Sequence, residues 1–176
     1  MGIGSAFHAL PAKQTTSDTS SQLGHMVIDF HGNPCVCGKT GCLETFASAQ
    51  SILRRLSDVG GTQVQRAEDV YAAIQACIQS PEWDSKNPQF LEIISAFVAG
   101  MTNYIQIMEP EIVMLGGRTV DSLSLIIDEV INRIEEMKQQ QILPAKLEII
   151  QTNTSEDALM RGSASIVFRR ELELSS

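Results

Sequence analysis

The sequence predicts an α/β fold with parallel strand pairing, and three observations carry that prediction. Beyond residue 85, segments of helical periodicity alternate with short apolar strands, the order that parallel crossover units produce. The 176 residues are 43% hydrophobic, enough for one domain with a sizeable core. No 20–50-residue repeat and no polar linker interrupts the chain, so residues 1–176 read as a single domain.

The elements follow in order. Met1–Ala6 is Gly-rich and apolar, and Thr15–Ser21 holds six Ser or Thr in seven positions, the composition of a solvated loop. Met26–Phe30 reads as a short strand closed by the turn signal His31-Gly-Asn-Pro34. From Leu43 the period becomes helical, with Leu43, Phe46, Ala47, Leu53 and Leu56 on one face and Gly60-Gly61 as the stop. A second helix covers Glu68 to Gln79 with Val70, Ile74 and Cys77 inward, so Cys77 reads as a small buried hydrophobe. Ser80–Pro88 is a loop carrying the single Trp.

Asn87-Pro88 then starts a helix, an N-cap residue followed by Pro at the first helical position. Leu91, Ile94, Val98, Met101, Ile105 and Met108 recur at steps of three and four, which predicts a long amphipathic helix from about 88 to 108, stopped at Glu109-Pro110. Glu111–Leu115 is a strand running into Gly116-Gly117. A helix from Asp121 to about Lys138 points Leu123, Ile126, Ile127, Val130, Ile134 and Met137 inward, and Pro144 separates it from a strand over Lys146–Gln151. The last helix opens on the capping pattern Thr154-Ser-Glu-Asp157 and carries Gly162, Ser163 and Ala164, small residues that allow close approach to a sheet.

Charge and hydropathy remove several function classes. Thirteen basic against 21 acidic residues give a net charge of −8, and no Lys/Arg cluster offers the phosphate contacts that nucleic-acid binding requires. No uninterrupted apolar stretch approaches the ~18 residues of a spanning helix, so no membrane insertion is expected. Without a charged-then-apolar leader the protein is expected to be cytoplasmic.

Cysteine carries the most specific signal. Cys35, Cys37 and Cys42 lie within eight residues, and a tight cluster of this kind points to a metal more than to a disulfide framework. With His25 the spacing is H-x9-C-x-C-x4-C. Three thiolates and one imidazole complete a zinc tetrahedron with no open position, so the expected Zn2+ is structural. Gly38 and Gly41 permit tight turns around an ion and Pro34 stiffens the approach. Spacing leaves the histidine open, because His31 lies nearer to Cys35 than His25 does.

These residues also resemble a family signature. Gln22-Leu-Gly-His25, then Pro34-Cys-Val-Cys-Gly-Lys-Thr-Gly-Cys-Leu-Glu44 and Ser48 resemble the ROK family, which contains bacterial repressors and sugar kinases. The family pattern is E-x-G-H, then C-x-C-G-x-x-G-C-x-E with a Ser four residues on, and only the leading Glu is replaced here. Met108-Glu-Pro-Glu-Ile-Val-Met-Leu-Gly-Gly117 resembles the family's D-P-E-x-I-x-L-G-G segment, Met160-Arg-Gly-Ser-Ala164 its small-residue helix, and Gly2-Ile-Gly4 the tail of a phosphate-contacting loop.

The resemblance implies several things. It places the zinc-ligand histidine at His25 and leaves His31 as a turn residue. It assigns sugar contacts to Gln22, His25 and Glu44, where a carboxylate beside a rigid loop accepts hydrogen bonds from sugar hydroxyls. Gln22 brings no charge to a position that is acidic in the family pattern, which weakens its bonds to hydroxyls. Gly2, Gly4, Gly116 and Gly117 become weak nucleotide-contact candidates, since any sharp strand-to-helix turn uses glycine. The implied fold is the C-terminal lobe of an actin-like, hexokinase-like (ribonuclease H-like) architecture with a zinc loop over 25–44.

A D-x-G-x-T phosphate loop, an Asn-Asp catalytic pair and a winged helix-turn-helix, which the family carries in other domains, do not occur in this sequence. No catalytic residue is therefore expected in it, and DNA would be bound only through a domain absent from it. The implied function is the zinc-containing, sugar-sensing and oligomerising part of a repressor of carbohydrate metabolism, of the N-acetylglucosamine/xylose repressor type. The alternative is the C-terminal lobe of an ATP-dependent sugar kinase. The implied partners are a sugar or sugar-phosphate effector and further copies of the chain, as a homodimer or higher homo-oligomer.

Overall fold

The longest helix begins where Asn87 and Pro88 dictate. In the computed structural model, which describes residues 22–60, 67–79 and 87–152, the Asn87 side chain accepts the Gln89 backbone N–H at 2.9 Å and Pro88 occupies the first turn. In chain order the elements are a 3₁₀ turn (Leu23–His25), α1 (Glu44–Ala47), α2 (Ala49–Gly60), α3 (Ala67–Ile78), α4 (Pro88–Met108), β1 (Ile112–Leu115), α5 (Arg118–Ser122), α6 (Ser124–Gln139) and β2 (Glu148–Gln151). Helix α4 ends at Glu109, whose φ of 45° turns the chain left-handed before Pro110.

The α/β reading holds. Strands β1 and β2 pair in parallel, with Ile112 opposite Glu148 and Leu115 opposite Gln151, and α5 and α6 make the crossover. Val113, Leu115 and Ile149 lean on the core, while Ile112, Met114 and Ile150 face away from it. Leu123, Ile126, Val130 and Ile134 meet Ile93, Ile94 and Ile105 of α4 in one fully buried cluster. Helices α2 and α3 close its other side through Ile52 and Ile74. Arg55 of α2 pairs with Glu92 of α4 and lies 5.0 Å over the Phe46 ring.

Helix α4 departs from its expected face. Leu91 is exposed, and Phe90, Ile93 and Ala96 are buried beside Ile94, Met101 and Ile105. The helix lies between α6 on one side and α1 and α2 on another, so it buries two stripes rather than one. By length and composition its 21 residues satisfy the requirement for a membrane span, although polar residues interrupt its apolar run. Its buried residues pack against neighbouring helices, as in a core helix.

Three expected elements are broken, each for an identifiable reason. The helix expected from Leu43 stops at Ala47, because Ser48 is extended (φ −71°, ψ 149°). Ser48 Oγ accepts the Ser51 N–H at 3.2 Å and so caps α2, the competition by which Ser side chains end and start helices. The helix expected from Asp121 is two, parted at Leu123 (φ −111°, ψ 24°), which is fully buried. Met26–Phe30 is no strand: it keeps a single antiparallel bridge, Val27 to Cys42, and Phe30 sits in a turn. The Gly41 carbonyl accepts N–H bonds from both Ile28 and Asp29, which bends the segment around the cysteine loop. Gly2, Gly4, the Ser/Thr loop, the Trp loop, the Gly61 stop and the helix from Thr154 through Ala164 lie outside the described residues.

Helix α4 is seated on the start of α1 through Gly100, where a Cβ would lie 2.6 Å from Leu43 Cδ2. Overfilling a close-packed contact costs about 1–3 kcal/mol. Gly100→Val is therefore expected to lower the urea midpoint by that equivalent. An unchanged midpoint would show that Leu43 does not rest on α4.

Candidate metal centre and adjoining cleft

Two short hydrogen-bonded turns build the cysteine loop. The Cys35 N–H donates to Lys39 O at 2.8 Å, the Gly38 N–H to Cys35 O at 3.0 Å, and the Gly41 N–H to Asn33 O at 2.9 Å. Gly38 and Gly41 take φ of 87° and 70°, the left-handed region where a Cβ is costly. The loop then closes on the 3₁₀ turn: Val27 bridges Cys42, and the Leu43 N–H donates to Met26 O at 2.8 Å. That closure carries His25 to the cysteines.

His25, Cys35, Cys37 and Cys42 place their four donor atoms within 4.8 Å of one another, so the cluster could hold a metal ion. Cys37 Sγ lies 3.6 Å from Cys42 Sγ, and Cys35 Sγ 3.5 Å from His25 Nδ1. A tetrahedral ion bonded at about 2.3 Å to sulfur and about 2.0 Å to nitrogen needs S···S edges of about 3.8 Å and N···S edges of about 3.5 Å. Those two edges match such an ion, and all four donors lie within 4.8 Å of one another. His31 stays outside the cluster, exposed in the turn, with its N–H donated to Asp29 Oδ1 at 2.9 Å.

The cysteines differ in their surroundings. Cys42 is fully buried, and burial pushes its thiol up to about 12, with the adjacent sulfurs of Cys37 and Cys35 adding to the effect. Cys37 is exposed, and the Lys39 backbone N–H holds its thiol below the usual range. Without a cation the fold thus favours Cys42 as a neutral thiol, and a metal would have to displace that proton. Cys77 is half-buried against the α2–α3 core, and burial raises its thiol too.

Glu44, in the first turn of α1, places Oε2 3.4 Å from His25 Nδ1. Gln22 is exposed beside the 3₁₀ turn. Both therefore stand next to the cluster. A cleft of about 320 Å³ opens there, lined by Gln22, Leu23, His25, Met26 and Lys39 on one side and by Tyr104, Ile107 and Met108 of α4 on the other. Lys39 Nζ donates to His25 O at 2.7 Å. Sequence reasoning missed the α4 wall, because Met108 fits the core period while Ile107 falls off it. The available signal was the spacing of Tyr104, Ile107 and Met108, which share one helix face.

Gly116 and Gly117 follow the end of β1, and Gly117 precedes α5 with φ 107°. A Cβ there would meet nothing within 4 Å, so backbone conformation, not close approach, accounts for that glycine.

A model of the ROK family matches residues 2–170. The chain is similar to the xylose repressor of Bacillus subtilis (25% identity over 159 residues, 90% of this chain and 39% of the relative). It is also similar to a glucokinase of Thermotoga maritima (30% over 167 residues, 85% of this chain and 50% of the relative). Among solved structures, a ROK family transcriptional regulator described as a homologue of the Escherichia coli MLC protein superposes with a TM-score of 0.56 at 26% identity. That match covers 81% of this chain and 37% of the regulator. The chain thus spans between 37% and 50% of the length of these relatives.

The two glycines of the loop separate conformation from space. A Cβ on Gly41 would lie 1.5 Å from the Asp29 carbonyl oxygen, whereas one on Gly38 would meet nothing within 4 Å. Gly38→Ala is expected to cost about 1–2 kcal/mol, the left-handed penalty alone, and to keep its metal content. Gly41→Ala should cost several kcal/mol and lose bound metal. Denaturation curves and metal analysis of the two variants check this, and equal losses would contradict the turn geometry.

Proposed function

Because the chain belongs to the ROK family, we propose that it forms the zinc-bearing, sugar-sensing part of a transcriptional repressor of carbohydrate metabolism, corresponding to the second lobe of an actin-like fold. The observation that carries this reading is that His25 belongs at once to the His25–Cys35–Cys37–Cys42 cluster, to the neighbourhood of Glu44 and, with Gln22, to the lining of one cleft. Zinc suits the donor set, and its closed coordination supplies rigidity rather than an activated water.

The chain's own residues do the recognition. Glu44, placed beside His25 by the first turn of α1, accepts hydrogen bonds from sugar hydroxyls. His25 directs Nδ1 to the cluster, which leaves Nε2 for the ligand, and Gln22 contributes both a donor and an acceptor. A sugar bound here biases the protein only as far as it prefers one conformation over another. A net charge of −8 assigns operator contact to another domain, and assembly into a homo-oligomer is part of this reading.

Gln22 in place of the family's acidic residue, together with similarity to the xylose repressor and to the MLC-like regulator, favours the repressor. Similarity to the Thermotoga glucokinase supports the second reading, a lobe of an ATP-dependent sugar kinase. Genomic sequence read in frame upstream of the Met1 codon discriminates the two. An encoded helix-turn-helix supports the repressor. A phosphate loop with an Asn-Asp pair and no DNA-binding domain overturns it in favour of the kinase.

Two further outcomes are expected. Metal analysis should find about one zinc per chain, released on acidification as the thiolates and His25 take up protons. Cys42→Ser should abolish most of that binding and lower the melting temperature, and a metal-free protein of unchanged stability would refute the zinc reading. In calorimetry against D-xylose, D-glucose, N-acetylglucosamine and their phosphates, Glu44→Gln should weaken the bound sugar about tenfold, the difference between a charged and a neutral acceptor.

A further inference from the structure

The cleft beside the metal cluster has two unlike walls. Gln22, His25 and Lys39 stand on one side, and the Lys39 ammonium is held at the rim by its bond to His25 O. The opposite wall is helix α4, where Tyr104, Ile107 and Met108 at i, i+3 and i+4 present a phenol ring, a branched alkyl group and a thioether. Met26, on the metal-loop side, adds apolar lining, with its sulfur accepting from Asn103 Nδ2 of α4 at 3.6 Å. Ile107 is 72% exposed. With Tyr104 and Met108 it makes one contiguous apolar side of a concave site, the kind of lining that small-molecule sites use.

An unsubstituted sugar fits only half of this lining. Its hydroxyls find partners at Gln22, His25 and Lys39, but those turned to α4 would lose water and meet carbon and sulfur, an uncompensated desolvation. The geometry points to a glycoside as the ligand: an alkyl or aryl sugar whose polar ring faces the metal loop and whose aglycone lies on Tyr104, Ile107 and Met108. This inference rests on the sugar-sensing reading above and adds the substituent.

The test uses the zinc-loaded 176-residue chain and n-alkyl β-D-glucosides and β-D-xylosides from methyl to butyl, with affinities from calorimetry. Each buried methylene is expected to tighten binding by about twofold to fourfold. Ile107→Ser, at an exposed position of that wall, should flatten the slope, so that butyl and methyl glycosides bind alike. Leu125→Ser, at another exposed apolar position on α6, should leave the slope intact. A flat series in the wild type, with the methyl glycosides still bound, would overturn the aglycone site while leaving the sugar reading standing. No binding by any glycoside or free sugar would remove the sugar reading, and this inference with it.

Discussion

The burial of Cys42 is the constraint on which the rest of the site depends. Its side chain is wholly enclosed, its backbone bridges Val27, and the next residue, Leu43, presses on Gly100 of α4. One end of the metal cluster is therefore a core residue. The cluster cannot shift without unseating α1 from α4, and α1 cannot shift without moving Glu44. Burial also raises the thiol to about 12, so the same enclosure that fixes the sulfur makes its thiolate costly without a cation. Core packing and metal binding are linked through one atom.

Electrostatics around the loop follow from that link. Three thiolates and a neutral imidazole around a divalent ion would leave a net single negative charge. Lys39 sits in the same turn and answers it twice. Its backbone N–H lowers the exposed Cys37 thiol, and its ammonium reaches across to His25 O. Glu44 adds a negative charge 3.4 Å from His25. With a divalent ion in place, these groups beside the cleft would sum to a single negative charge, which suits recognition by hydroxyl hydrogen bonds better than capture of a strong anion.

Some of this arrangement is legible in the sequence because it is local. Asn87-Pro88 starts α4 through the side chain of one residue and the ring of the next, and the spacing of three cysteines selects a loop whatever surrounds it. The break at Ser48 is local too, but Ser48 sits inside a continuous apolar period that hides it. Leu123 is hidden in the same way: it keeps the helical period and leaves the helix because the core takes its side chain. The bend at Ile28 and Asp29 depends on one distant carbonyl, that of Gly41, and no window around Met26–Phe30 contains it. The α4 wall of the cleft is the least legible part, since an apolar residue on a long apolar helix looks the same whether it faces core or ligand.

The two walls of the cleft belong to elements that the fold joins unequally. The metal loop is tied to the start of α1 and through Leu43 to the middle of α4, while the last turn of α4 meets the 3₁₀ turn through the cleft residues and the Asn103–Met26 contact. A ligand confined to Gln22, His25 and Glu44 would touch only the metal loop, which the core already holds in place, and so would have little to change. A ligand that also rests on Tyr104 and Ile107 spans both elements, and its affinity then depends on their separation. Coupling to the rest of a larger protein requires such a difference between states. The helix that carries this wall runs from the cleft back to Asn87, between α6 and α2.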